Sequence, residues 1–146
     1  MSSERLAPEP PLLALANGKY LNVDVGSPPS PNAPTAVFVH GLGGVSSNHY
    51  ALIQASELES THKVITFDLE GAGKSPLSRP AATLTIQSFA EDIRFLLQAL
   101  KILSPVTLIG HSMGGVSRFN KCVPTSMTKS VALTIAHRVP LCGSIS

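Results

Sequence analysis

The sequence predicts an α/β fold: a mostly parallel sheet opened by an N-terminal antiparallel hairpin. Three observations carry this expectation. Short apolar runs rich in β-branched residues recur at Thr35–Val39, Lys63–Asp68 and Val106–Ile109, the length and composition of buried strands. An amphipathic stretch with helical spacing, Thr85–Ile102, lies between the second run and the third, and strands alternating with helices form parallel sheets with right-handed crossovers. Each apolar run also ends in a glycine-bearing loop, and ligands of such sheets gather at the carboxyl ends of the strands.

A chain of 146 residues suits one domain, and 43% hydrophobic against 14% charged content implies that most of it is packed. Residues 1–11 are polar and Pro-rich and read as a disordered tail; residues 12–146 read as the domain, with 116–146 atypical. The apolar patch Leu12–Ala16 is too short for a signal peptide or a membrane span, so the cytoplasm is the expected location. The net charge of +2 is too small to point to nucleic acid or a membrane surface as partner. Cys122 and Cys142 fit neither a disulfide framework nor a metal-ligand spacing, and neither a cofactor nor a metal is expected.

Taken in order, Leu12–Ala16 and Tyr20–Val25 flank Asn17-Gly18, a strong hairpin signal, and are expected to begin the sheet. Ser27–Pro34 is a turn. Thr35–Val39 runs into His40-Gly41-Leu42-Gly43-Gly44, where glycines let backbone approach a ligand and leave N–H groups unengaged. His40 is expected to be a hydrogen-bonded structural residue; His49 and Tyr50, on the helix that follows, suit the pocket and solvent equally well. After Lys63–Asp68 comes Leu69–Pro76, whose Gly73-Lys74-Ser75 matches the end of a phosphate-binding loop. Asp68 stands where that motif needs its first glycine, and Pro76 follows the serine directly, so nucleotide binding is rejected. In Thr85–Ile102, Ile86, Phe89, Ala90, Ile93, Leu96, Leu97 and Leu100 share one face, while Glu91, Asp92, Arg94, Gln98 and Lys101 take the others. Thr85 is the expected N-cap.

Val106–Ile109 leads directly into Gly110-His111-Ser112-Met113-Gly114, a G-x-S-x-G elbow. A serine on so tight a strand-to-helix turn needs small residues two positions away on each side. The turn pushes the hydroxyl out above the sheet and aims the next N–H, that of Met113, at a developing oxyanion. In a site of this kind the second donor comes from the earlier glycine loop, here the N–H of Leu42.

HGLGG after one strand, FDLEGAGKSP after the next, then LTIQSFAEDIRFLLQAL and VTLIGHSMGG run in that order between about residues 12 and 115. Together they resemble the first half of an α/β-hydrolase, most like the 3-oxoadipate enol-lactonase-type hydrolases and their esterase relatives. The resemblance implies an incomplete α/β-hydrolase fold and hydrolysis of a small-molecule carboxylic ester or lactone. Ser112 would be the nucleophile, and the N–H groups of Leu42 and Met113 would form the oxyanion hole. A serine at the elbow argues against the resembling families that use aspartate there.

The chain departs from the pattern beyond the elbow. The triad of this fold runs Ser, then Asp or Glu, then His. No acidic residue follows Ser112, and the one later histidine, His137, lacks a strand-end context. The expectation is an enzyme by ancestry whose chain as written turns over activated esters weakly or not at all. The alternatives are a non-catalytic binding protein and an inactive product of a mis-spliced or truncated gene. Val116–Ser130 makes a poor helix, whereas Val131–Arg138 looks like the helix an elbow needs. The intervening segment reads as a translated retained intron, since Val-Ser can be encoded by GTAAGT, or as a loop insertion.

Overall fold

The computed structural model describes residues 11–111 and, as backbone, residues 128–134. A two-stranded antiparallel sheet pairs β1 (Leu13–Ala14) with β2 (Tyr20–Leu21). A five-stranded sheet comprises β3 (Val23–Val25), β4 (Thr35–Val39), β5 (Lys63–Phe67), β6 (Val106–His111) and β7 (Thr128–Thr134), in the spatial order β3-β5-β4-β6-β7. β3 runs antiparallel to β5, and the other pairs are parallel. Two α-helices, α1 (Tyr50–Ser56) and α2 (Ile86–Ala99), complete the described part. Among the described residues no helix is long and apolar enough to cross a membrane.

The central strand β4 shows why the sheet is double-sided. Successive side chains of a strand point to opposite faces, and all five residues of TAVFV are buried. Val37 and Val39 join Leu21, Ile65, Phe67 and Leu108 in one core, which α2 covers with Ile93, Leu96 and Leu97. Ala36 and Phe38 face the other way, into a smaller cluster with Val64 and Ile53 of α1. A strand buried on both faces can carry no polar alternation, and this is the reason its sequence is a continuous apolar run.

α2 begins where its cap dictates. The Thr85 hydroxyl accepts the Ser88 N–H at 3.0 Å, and the Ser88 hydroxyl accepts the Thr85 N–H at 3.0 Å, a reciprocal box that satisfies two otherwise orphaned donors. The helix stops at Ala99, short of the expected Ile102. Lys101 turns left-handed (φ 56°), and the N–H groups of Lys101 and Ile102 close back on the Gln98 and Leu97 carbonyls at 3.0 and 2.9 Å, a Schellman termination.

Three expectations need correction. The hairpin turns at Asn17-Gly18, with Gly18 at φ 84°, but it does not begin the main sheet. The Asn22 N–H goes to the Ser75 hydroxyl at 2.9 Å instead of to a neighbouring strand. That bond breaks the run Tyr20–Val25, so only Val23–Val25 adds to β5. Asp92, assigned to a polar face of its helix, is buried, because Lys19 of the hairpin reaches it. Val131–Thr134, part of the stretch resembling a missing helix, is strand: β7 lies parallel along β6 with Leu108 opposite Val131 and His111 opposite Thr134. Its β-branched composition suits a pleated surface, and the edge of β6 supplies the peptide groups that it pairs. Residues 1–10, 112–127 and 135–146, with the expectations that fall on them, lie outside the described residues.

Candidate active site

The register between β4 and β6 places Val39 opposite Gly110. The glycine loop at the carboxyl end of β4 and the elbow at the carboxyl end of β6 therefore leave the sheet side by side. Leu42 is described; Ser112 and Met113 lie outside the described residues, one step beyond His111.

The glycine loop is held from below by His40, which is buried. Its Nε2 lies 2.9 Å from the Leu69 nitrogen, and a backbone N–H can only donate, so Nε2 is the acceptor. Its Nδ1 lies 2.8 Å from the Gly41 carbonyl oxygen, which can only accept. The imidazole is therefore the Nδ1–H tautomer. The Gly41 carbonyl also accepts the Gly44 N–H at 3.0 Å. In a trans peptide the carbonyl and the following N–H point in opposite directions, so fixing the Gly41 carbonyl fixes the direction of the Leu42 N–H. Among the described residues no acceptor takes that N–H, and the Leu42 side chain is 87% exposed. Gly44 has no room for a side chain, since a Cβ there would stand 2.8 Å from the Asn48 Oδ1 and 3.1 Å from the Gly41 oxygen.

Asp68, at the end of β5, ties this loop to its surroundings. Its carboxylate accepts the Ser46 N–H at 2.7 Å, the Asn22 amide at 2.8 Å and the Lys74 N–H at 3.0 Å. Burial pushes its pKa up, but the hydrogen bonds from Lys74, Ser46 and Asn22 outweigh it and hold the carboxyl below its ordinary value. The carboxylate thus takes the amide that a phosphate would need, the physical reason this glycine loop is not a nucleotide cradle. Gly73 sits at φ 51° beside it, and any Cβ there would collide with the Asp68 carboxyl group.

A second buried network lies behind the loop. The Lys19 ammonium stands 2.7 Å from Glu70 Oε2 and 2.7 Å from Asp92 Oδ1. Glu70 also accepts from the N–H and hydroxyl of Ser78 and from Arg79. Burial raises the Glu70 pKa, but Lys19 and Ser78 prevail and bring it down to about 2. Asp92 moves the other way: burial dominates, and Lys19 offsets it only in part. Its Oδ2 has no hydrogen-bond partner.

Two cavities flank the glycine loop. One, of about 350 Å³, runs between Gly41–Val45 and Leu69–Gly73 and reaches Leu84 and Phe89. The other, of about 560 Å³, lies between the glycine loop and His111 and is walled by Asn48, His49 and Leu52. It is the one bordered by both the loop and the last residue before Ser112. His49 is buried with its ring against Phe38 (centroids 5.2 Å apart), while Tyr50 is exposed. The sequence reading missed the Lys19–Glu70–Asp92 network and the anchoring role of Asp68. A signal existed for Asp68, a carboxylate at a strand end among glycines; none marked Lys19. Among the described residues no cluster of His, Cys, Asp and Glu could hold a metal.

A family model described as the alpha/beta hydrolase fold matches residues 34–117. The sn-1-specific diacylglycerol lipase ABHD11 of Mus musculus is 37% identical over 82 residues, 56% of this chain and 25% of that protein. The 3-oxoadipate enol-lactonase 1 of Acinetobacter baylyi is 34% identical over 100 residues, 68% of this chain and 35% of that protein. The crystal structure of the enol-lactonase from Burkholderia xenovorans LB400 superposes with a TM-score of 0.61 at 28% identity, covering 73% of this chain and 39% of that one. The chain thus spans a quarter to two fifths of the length of these relatives.

Proposed function

The chain belongs to the α/β hydrolase family, and we propose that it carries the nucleophile and oxyanion part of a site hydrolysing a carboxylic ester or lactone. Ser112 attacks the carbonyl carbon, and the N–H groups of Leu42 and Met113 receive the oxygen on which negative charge develops. The observation that carries this reading is the peptide Gly41–Leu42, whose carbonyl is held by His40 and Gly44. Its N–H thereby stands preset beside the strand end that leads into the elbow. A donor fixed before the reaction needs no reorganisation when charge appears, which is the source of its worth. The likeness to an enol-lactonase and a diacylglycerol lipase supports acyl transfer from an oxygen ester and leaves the choice between lactone and open ester to the pocket.

Stoichiometric acylation tests the reading without requiring full turnover. The 146-residue chain is incubated with p-nitrophenyl acetate, and its intact mass and tryptic peptides are followed. One acetyl group is expected on Ser112, absent from Ser112→Ala and formed about 100-fold more slowly in Leu42→Pro, which lacks the N–H. Acetylation elsewhere, or a rate indifferent to Leu42→Pro in a protein of unchanged circular dichroism, overturns the proposal.

A further inference from the structure

We propose that His49 is a specificity-determining residue of this site: its Nε2 accepts a hydrogen bond from a hydroxyl or amide N–H carried on the acyl part of the substrate. The proposal rests on the ester-hydrolase reading above and names the substrate class within it.

The imidazole is set up as an acceptor by its surroundings. His49 hydrogen-bonds the backbone of Val39, and its Nε2 has no partner, so the bond is made by Nδ1. A backbone carbonyl can only accept, which leaves the proton on Nδ1 and a bare lone pair on Nε2. Burial, above all, pushes the His49 pKa down, and the neighbouring His40 and His111 add to the effect. Near neutral pH the ring is therefore uncharged and keeps that tautomer. Packing against Phe38 at 5.2 Å fixes its plane.

Location then decides what the acceptor can serve. His49 walls the cavity of about 560 Å³ that also touches Leu42 and His111, so a group bound there adjoins the proposed oxyanion donor and the elbow. Leu42 and Leu52 give that cavity apolar, exposed walls, suited to an aliphatic chain. A buried, unpaired acceptor costs free energy that a ligand donor returns. An ester or lactone group carries no donor of its own, so the donor must be a further substituent of the acyl chain. A site with such an acceptor discriminates against analogues lacking the donor more strongly than an apolar wall discriminates by size.

Two measurements test this separately from the reaction. In protein labelled with ¹⁵N-histidine, the His49 Nε2 resonance is followed on addition of the unreactive amides 3-hydroxybutyramide, N-acetyl-β-alaninamide and butyramide. The resonance is expected to move with the first or the second, according to which donor is accepted, and to stay in place with butyramide. In parallel, acylation of Ser112 by p-nitrophenyl 3-hydroxybutyrate, N-acetyl-β-alaninate and butyrate is compared between the parent chain and His49→Phe, with His49→Gln as a variant that keeps an acceptor. A preference of about 10-fold or more for a donor-bearing ester is expected in the parent and in His49→Gln. In His49→Phe it should vanish while butyrate reacts at the parental rate. An Nε2 resonance unmoved by every donor-bearing amide overturns the proposal whether or not Ser112 reacts, and so does a preference that survives His49→Phe. Absence of acylation by all three esters with a moving Nε2 resonance overturns the hydrolase reading and retains His49 as a ligand-binding residue.

Discussion

His40 has both ring nitrogens engaged with backbone, one receiving the Leu69 N–H and the other donating to the Gly41 carbonyl. His40→Phe leaves the Leu69 N–H buried without an acceptor, a loss of about 1–3 kcal/mol expected in urea denaturation. It also removes one of the two bonds holding the Gly41 carbonyl, so acylation of Ser112 is expected to slow about 10-fold or more through misdirection of the Leu42 N–H. An unchanged acylation rate in the folded variant would limit His40 to a purely structural part. The carboxylates of the second network give a pH dependence of opposite signs. Glu70, brought down to about 2 from an ordinary 4.5, contributes stability that is complete above pH 4.5 and lost as pH falls toward 2, on the order of 3 kcal/mol. Asp92, raised from 3.8, favours the folded state below that pH and loses this contribution as pH rises through its folded value. Asp92→Asn is therefore expected to gain stability relative to the parent as pH rises from 4 to 7, and Glu70→Gln to lose it over the lower part of that range. Thermal melts at a series of pH values read both slopes; parallel curves for Asp92→Asn and the parent would contradict the assignment.

At the scale of elements, α2 shows what could be read and what could not. Its apolar face follows from helical spacing, and its start from Thr85, because capping chemistry is local in sequence. Its end was overrun by two residues because leucine and isoleucine continue the pattern past Lys101, whose left-handed φ of 56° has no residue-type signature. Glycine is the residue that adopts this conformation without penalty. Lys101→Gly is accordingly expected to stabilise the protein by about 0.5–1 kcal/mol, the αL relief being partly cancelled by the freer unfolded chain. A lower urea midpoint in Lys101→Gly would show that the lysine side chain contributes more than the strain costs. The strands β4, β5 and β6 were legible for a related reason: burial on both faces forces an unbroken apolar run. The hairpin and β7 were not. Asn22 departs from the strand because Ser75, 53 positions away, takes its N–H, and β7 exists as strand because β6 offers it an edge. In both cases the deciding partner is distant in sequence.

Across the whole molecule, the parts of the site are joined by buried charge as well as by apolar packing. Lys19 comes from the hairpin, Glu70 from the loop after β5 and Asp92 from α2, and they meet at 2.7 Å with almost no exposure. None of these contacts is periodic, so the sequence shows only an exposed-looking lysine beside a turn and a carboxylate on a helix. A cation bridging two buried carboxylates makes no secure net gain in stability over a neutral replacement of the whole set, because taking three charges out of water costs nearly as much as their attraction returns. Removing one member is a different matter, since the others are left buried and uncompensated. Lys19→Met is therefore expected to lose about 3–5 kcal/mol. The triple variant Lys19→Met, Glu70→Gln, Asp92→Asn is expected to lose much less than Lys19→Met alone, although it carries two more substitutions. Urea midpoints at pH 7 for the single and triple variants measure the difference. A triple variant less stable than Lys19→Met would mean that Glu70 and Asp92 stabilise the fold chiefly through partners other than Lys19. In Glu70's case those would be Ser78 and Arg79, and the network would then be two separate anchors sharing a lysine by proximity.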